Sequence, residues 1–290
     1  MSNNNEYLAL TNEGKNAWWR YVAGFVLIVI IWAVGSTLLT VPFIEDLSAL
    51  DKTPLGFAAS LLGFAPILLA VWLVTVLVHR RKFGSLIGPA GRLNWQRIIT
   101  AFVAWMGLMA VATVIEAAIY GSYTLNGSFL QSWPFVLLAL LLLPIQTSAE
   151  EFFFRGYLLQ ATGRLTRNWG VLSAINGVLF VIPHLANPEA SSDPLTSILA
   201  WFVFGAVFTL FTLRSGSLDY ALGIHAANNI TLSVVFGYEG GALPANALFV
   251  TSEIHGAYGL ISLIIVSVVL YWLLFRPRKA APRTEAPSHA

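Results

Sequence analysis

Cysteine is absent from this chain of 290 residues. That one absence excludes disulfides, thiolate metal ligands and a cysteine nucleophile. Charge is nearly as scarce: Asp, Glu, Lys and Arg make up 10% of the residues, against about a quarter in an ordinary soluble domain. The chain has no His-Glu-x-x-His zinc signature, no glycine-rich phosphate loop and no internal repeat. Nothing in it points to an organic cofactor or to nucleic acid as a partner.

What is present is apolar: 57% of the residues are hydrophobic, gathered in long runs rather than in alternating short ones. Long runs specify an all-α membrane protein, a bundle of about eight transmembrane helices. The eight stretches are 18–41, 57–78, 95–119, 133–159, 169–186, 195–213, 218–236 and 256–275. Several begin or end on Trp or Tyr, the usual interfacial anchors. With the amino terminus placed in the cytoplasm, every Lys and Arg except Lys52 falls on the cytoplasmic side. That partition follows the positive-inside rule and puts both termini in the cytoplasm. The expected organisation is a polar, mobile amino-terminal segment (1–17), a membrane domain (18–275) and a disordered tail (276–290). The stretch 237–255 is expected to be a glycine-rich outer loop without defined structure.

Three polar intrusions interrupt the apolar runs. The first is Glu150-Glu151-Phe-Phe-Phe-Arg155, at the end of the fourth stretch. A charge at the centre of a spanning helix costs about 2.5–3.5 kcal/mol on insertion scales, so adjacent carboxylates there need a use. At helical spacing Thr147, Glu151 and Arg155 share one face, and Gln146 and Glu150 a neighbouring one. This predicts an ion pair between Glu151 and Arg155 and leaves Glu150 for chemistry. The second intrusion is Phe180-x-x-x-His184, with Pro183 before the histidine. The third is His225-x-x-x-Asn229, in which Asn229 is expected to orient the imidazole one turn away. Lesser intrusions are assigned to packing: Asn176 to a hydrogen bond between helices, Asp219 to a pair with Arg214.

Together these groups can line one polar pocket in a helical bundle. Glu150 suits a general base acting on water, and the histidines suit metal binding or donation to an oxyanion. Either arrangement fits amide hydrolysis. Two other classes stay open on the residues alone: a non-catalytic membrane binding or immunity protein, and a proton-coupled transporter in which Glu and His form a relay.

The ordered trio of motifs resembles the CAAX protease and bacteriocin-processing (CPBP) family of intramembrane proteases, which includes the type II CAAX prenyl endopeptidase. The resemblance covers about a third of the chain, residues 136–236. It implies an endopeptidase acting on membrane-associated, in some relatives prenylated, proteins or peptides. Carried onto this sequence, it makes Glu150 the water activator, with Glu151, Arg155, His184, His225 and Asn229 completing the site. A divalent metal such as zinc, held by Glu150, His184 and His225, and a metal-free mechanism are both compatible with it. One geometric difficulty is visible in advance. In straight helices, at about 1.5 Å per residue, Glu150 and His184 would differ in depth by about 10 Å or more.

Overall fold

A computed structural model describes residues 5–46, 49–244 and 246–276. Each of the eight apolar stretches forms a helix: α1 Trp18–Phe43, α2 Pro54–Val78, α3 Trp95–Tyr120 and α4 Trp133–Thr162. They are followed by α5 Trp169–His184, α6 Pro194–Ser215, α7 Asp219–Ile230 and α8 Gly256–Phe275. Local signals set many of the ends. Thr53, Asn94 and Asn168 cap α2, α3 and α5, each side chain accepting from a backbone N–H three residues on. Gly121 and Gly216, at φ 66° and 71°, end α3 and α6 in the left-handed conformation that glycine adopts without strain.

Among the described residues, six of these helices are long and apolar enough to cross a membrane: α1–α4, α6 and α8. The expected count of eight is corrected to six. The other two fall short for a physical reason. Helix α5 has 16 residues. Helix α7 has 12 before it relaxes into a π-helical turn over Thr231–Val235, and it is buried on every side rather than along one stripe. A helix shielded all round by protein can carry Asp219, His225, Asn228 and Asn229, which lipid would not tolerate. By contrast α1, α3 and α8 expose rows of large apolar side chains, among them Val26, Ile30, Val103, Val114, Ile265 and Val268. Apolar faces of this extent are lipid contacts in a multi-pass integral membrane protein.

Close packing fixes α5, α6 and α7. A Cβ on Gly205 of α6 would stand 2.7 Å from the Gly177 Cα of α5 and 2.8 Å from the Phe180 Cβ. The two backbones therefore approach closely only because both positions are glycine. Helix α7 packs chiefly against α3 and α4. Asp219, at its start, does not meet Arg214. It accepts from the Asn94 N–H at 3.0 Å and the Ser217 hydroxyl at 2.7 Å, and its other charged neighbour is Arg97 at 3.9 Å. Asn176 does bond across helices, donating to Thr162 at 3.1 Å.

Two further expectations are corrected. The amino-terminal segment is folded from Asn5 on: Glu6–Ala9 is helical, and Tyr7 and Leu8 are buried against the end of the bundle that carries Arg20, Arg81 and Arg164. The loop beyond α7 is ordered by β2 (Phe236–Tyr238), which pairs in parallel with β3 (Phe249–Thr251). Strand β3 pairs antiparallel with β1 (Thr124–Leu125), in the order β1-β3-β2. The expected disordered tail lies outside the described residues from 277 on.

Candidate active site

The fourth helix is built to carry charge inward. It runs for 30 residues, and from Phe152 to Leu158 it widens into a π-helical stretch, a feature frequent at functional sites. Glu150 and Glu151 stand just before that stretch and point to different partners. Glu151 is fully buried. Its Oε1 accepts from Arg155 Nη1 at 2.8 Å and from His225 Nδ1 at 2.7 Å. Arg155, also fully buried, donates to the Phe204 carbonyl at 3.3 Å and lies 4.4 Å over the Phe180 ring and 5.0 Å from the Phe208 ring. A guanidinium between a carboxylate and aromatic faces loses less by burial than an ammonium would.

Glu150 faces the other way, into a cavity of about 930 Å³ enclosed by every helix except α3. Its Oε1 accepts from Gln146 Nε2 at 2.6 Å, and Gln146 Oε1 accepts from Asn229 Nδ2 at 3.1 Å. Asn229 Oδ1 in turn accepts from Asn228 Nδ2 at 3.1 Å. Three amides thus form a directed chain that ends on the carboxylate. The Glu150 Oε2 stands 3.5 Å from His225 Nε2. His225 therefore spans the two carboxylates, with Nδ1 donating to Glu151 and Nε2 turned to Glu150 and the cavity.

His184 lines the same cavity as Glu150 and His225. Its Nδ1 donates to the Phe180 carbonyl at 2.7 Å, which leaves Nε2 for the cavity. The ring sits 4.4 Å from Phe180 and 5.4 Å from Trp201. Helix α4 carries on past the carboxylates to Thr162 and α5 ends at His184 itself, and His184 lies within electrostatic reach of both Glu150 and His225. Glu150, His184, His225 and Asn229 thus line one cavity, and Glu151 with Arg155 stands behind His225.

One relationship differs from expectation. Asn229 does not hold the His225 ring; it reaches Glu150 through Gln146, and Glu151 orients the imidazole. Gln146, expected only to share a face with Glu150, is the link. Its signal was present, since a glutamine one turn before a glutamate in an apolar run has a carboxylate within reach. Phe180, expected only as the head of its motif, is packed into the site as well: its ring touches Arg155 and His184 and lies 6.1 Å from His225. Among the described residues no three His, Asp or Glu side chains are grouped as a metal-ligand set. Glu150, His184 and His225 share the cavity without forming one.

A family model described as type II CAAX prenyl endopeptidase Rce1-like matches residues 129–231, the span that holds all six site residues. The chain is 36% identical over 234 residues to the uncharacterized protein YyaK of Bacillus subtilis (strain 168), across 76% of this chain and 78% of that protein. No solved structure matches. By this similarity the chain belongs to the CAAX-protease-like (CPBP) family of membrane proteins.

Proposed function

We propose that this chain is an intramembrane endopeptidase that hydrolyses peptide bonds of membrane-associated proteins or peptides with a water activated by Glu150. The observation that carries the reading is the division of roles between adjacent carboxylates. Glu151 is consumed by Arg155 and His225, whereas Glu150 is presented to a cavity on a chain of amide donors. A carboxylate held in this way, within reach of cavity water, is placed to act as a general base.

In the reaction Glu150 takes a proton from water as the water oxygen attacks the scissile carbonyl carbon. Negative charge develops on the carbonyl oxygen, where the second N–H of Asn229 can meet it, while the bare Nε2 of His184 can accept from substrate or water in the cavity. The C–N bond then breaks, and the departing nitrogen takes the proton held by Glu150, either directly or relayed through His225 Nε2. Glu151 supports the second route because it holds the imidazole by Nδ1 and stabilises the imidazolium, as a buried carboxylate does in a triad. Arg155 fixes the position of the Glu151 carboxylate. No step here runs through a metal ion.

The cavity is walled mainly by Phe, Leu, Ile and Trp from α1, α2, α4 and α6. Such a wall favours an apolar or lipid-modified segment beside the bond to be cut. With the basic end of the bundle in the cytoplasm, two features recommend the protease over a binding scaffold or a carrier. Four polar groups of complementary chemistry converge on one cavity, and repeated halves are absent from the sequence.

The test is a panel of quenched fluorescent peptides, each with and without a prenyl group, offered to purified protein in detergent with and without a chelator. The proposal expects cleavage of at least one peptide, with the lipid-modified form preferred. A chelator that leaves the rate unchanged would support the metal-free route, and one that abolishes it would assign a metal to this cavity. Cleavage carried equally by protein lacking the Glu150 carboxylate would overturn the reading.

A further inference from the structure

The basic end of the bundle holds a second unusual cluster, away from the catalytic cavity. Just past α2, Arg80 adopts a left-handed backbone at φ 54°, the one positive φ outside glycine among the described residues. The resulting turn sends Arg81 inward, where it is 5% exposed. Arg81 Nη1 donates to Gln160 Oε1 at 2.6 Å, but Nε and Nη2 have no partner. Arg81 and Arg164 both act electrostatically on the neighbouring Tyr21, whose buried hydroxyl also lacks a partner. Arg164, exposed at the end of α4, holds its guanidinium 5.9 Å over the Tyr21 ring. Arg20 completes the group from α1, donating to the Val78 carbonyl.

Among the described residues no carboxylate pairs with Arg20, Arg81 or Arg164. Glu13 acts on Arg81 only from beyond contact distance. Three cations converge without a counter-ion, and three polar atoms are buried without partners. A buried polar atom left without a partner is costly, so each favours a ligand that can meet it. His79, packed 4.4 Å from Tyr21, feels the same field. Its pKa is pushed down to about 4, by burial first and then by Arg81, Arg20 and Arg164, against the opposing hydrogen bond to the Lys15 carbonyl. Trp18 and Trp19, 73% and 50% exposed, begin α1 at this end and mark it as interfacial.

We propose that Arg81, Arg164 and Tyr21 form a binding site for a phosphate group at the basic end of the bundle. The guanidinium N–H atoms and the Tyr21 hydroxyl suit the tetrahedral oxygens of a phosphate, and the surplus positive charge supplies the attraction. Arg164 is the exposed member and the route by which the group arrives. Gly14 lies across the Arg81 stem, where a Cβ would meet the Arg81 Cβ at 2.8 Å, so the amino-terminal segment covers the inner side. The phosphate can belong to an anionic lipid headgroup or be free in solution.

The site does not depend on the proposed activity, and its test reads binding alone. Thermal unfolding of the purified full chain in neutral detergent is followed while short-chain phosphatidylglycerol, inorganic phosphate or chloride is added at matched ionic strength. A saturable rise in Tm of about 3 °C or more is expected with a phosphate-bearing additive and not with chloride. A rise with phosphatidylglycerol alone assigns the site to a lipid headgroup; a rise with inorganic phosphate as well assigns it to the free anion. Arg164→Gln, on the surface, should weaken the half-saturating concentration at least fivefold, and Arg81→Gln should abolish the effect. Arg214→Gln, at the same end but packed over Phe275, should leave it unchanged. No saturable rise with either additive, or an equal loss in Arg214→Gln, would overturn the proposal.

Discussion

The Nδ1 of His225 lies 2.7 Å from Oε1 of Glu151, so the second carboxylate of the pair, not the asparagine one turn along α7, sets the orientation of the imidazole. The same oxygen receives Arg155, and both members of that ion pair are fully buried. Removing one charge strands the other. Arg155→Met is therefore expected to destabilise the protein by about 3–5 kcal/mol. Replacing Glu151 and Arg155 together by apolar residues should cost markedly less than the sum of the single changes. Denaturant or thermal unfolding of the three variants in one detergent measures both. Additive losses would contradict the pairing.

The amide chain makes a kinetic prediction. Gln146→Ala takes from Glu150 its donor at 2.6 Å and from Asn229 its acceptor. A lost hydrogen bond to a charged group is worth about 1.5–3 kcal/mol, so kcat should fall by about 10- to 100-fold with KM little changed. Asn229→Ala acts on Glu150 largely through the same glutamine. Asn229 also offers its second N–H to the oxyanion, so the double variant should fall below Gln146→Ala alone, but by less than the full Asn229→Ala loss. A double-variant loss equal to the product of the two single losses would show that Asn229 works independently of Gln146.

Much of this arrangement can be read in the residues. The apolar runs locate all eight helices, and i,i+4 spacing alone yields the Glu151–Arg155 pair. Membrane crossing is less legible, because hydropathy reports composition and not neighbours. Helix α7 is short and polar yet sits inside the bundle, where protein takes the place of lipid. Partner choice is the other gap. Spacing places Asn229 one turn from His225, but the π-helical stretch after Glu151 and the approach of α7 to α4 decide what each side chain meets. The buried amino-terminal segment was missed for a similar reason. Tyr7 and Leu8 are too few to form an apolar pattern, and Tyr7 is recruited by carbonyls of Leu86 and Arg155 far along the chain.

His79 predicts a pH dependence. Its pKa lies at about 4, below the ordinary 6.5, because burial and then the nearby arginines disfavour the charged ring. The unfolded chain accordingly binds this proton more readily than the folded one. The stability that rests on neutral His79 is complete above about pH 6.5 and is lost as pH falls toward about 4. Between these limits the wild-type Tm should fall more steeply with acid than that of His79→Phe. Parallel curves for the two proteins would contradict the assignment.

The most direct measurement compares single-turnover peptide cleavage by wild type and by Glu150→Gln, reconstituted in the same lipid and matched in thermal stability. Glutamine keeps the shape of the side chain and a hydrogen bond to Gln146 but cannot accept the proton of the attacking water. If Glu150 activates that water, cleavage should fall by about 10²-fold or more while peptide binding is retained. Cleavage within a few-fold of wild type would show that another group activates the water, and the account of this site would be wrong.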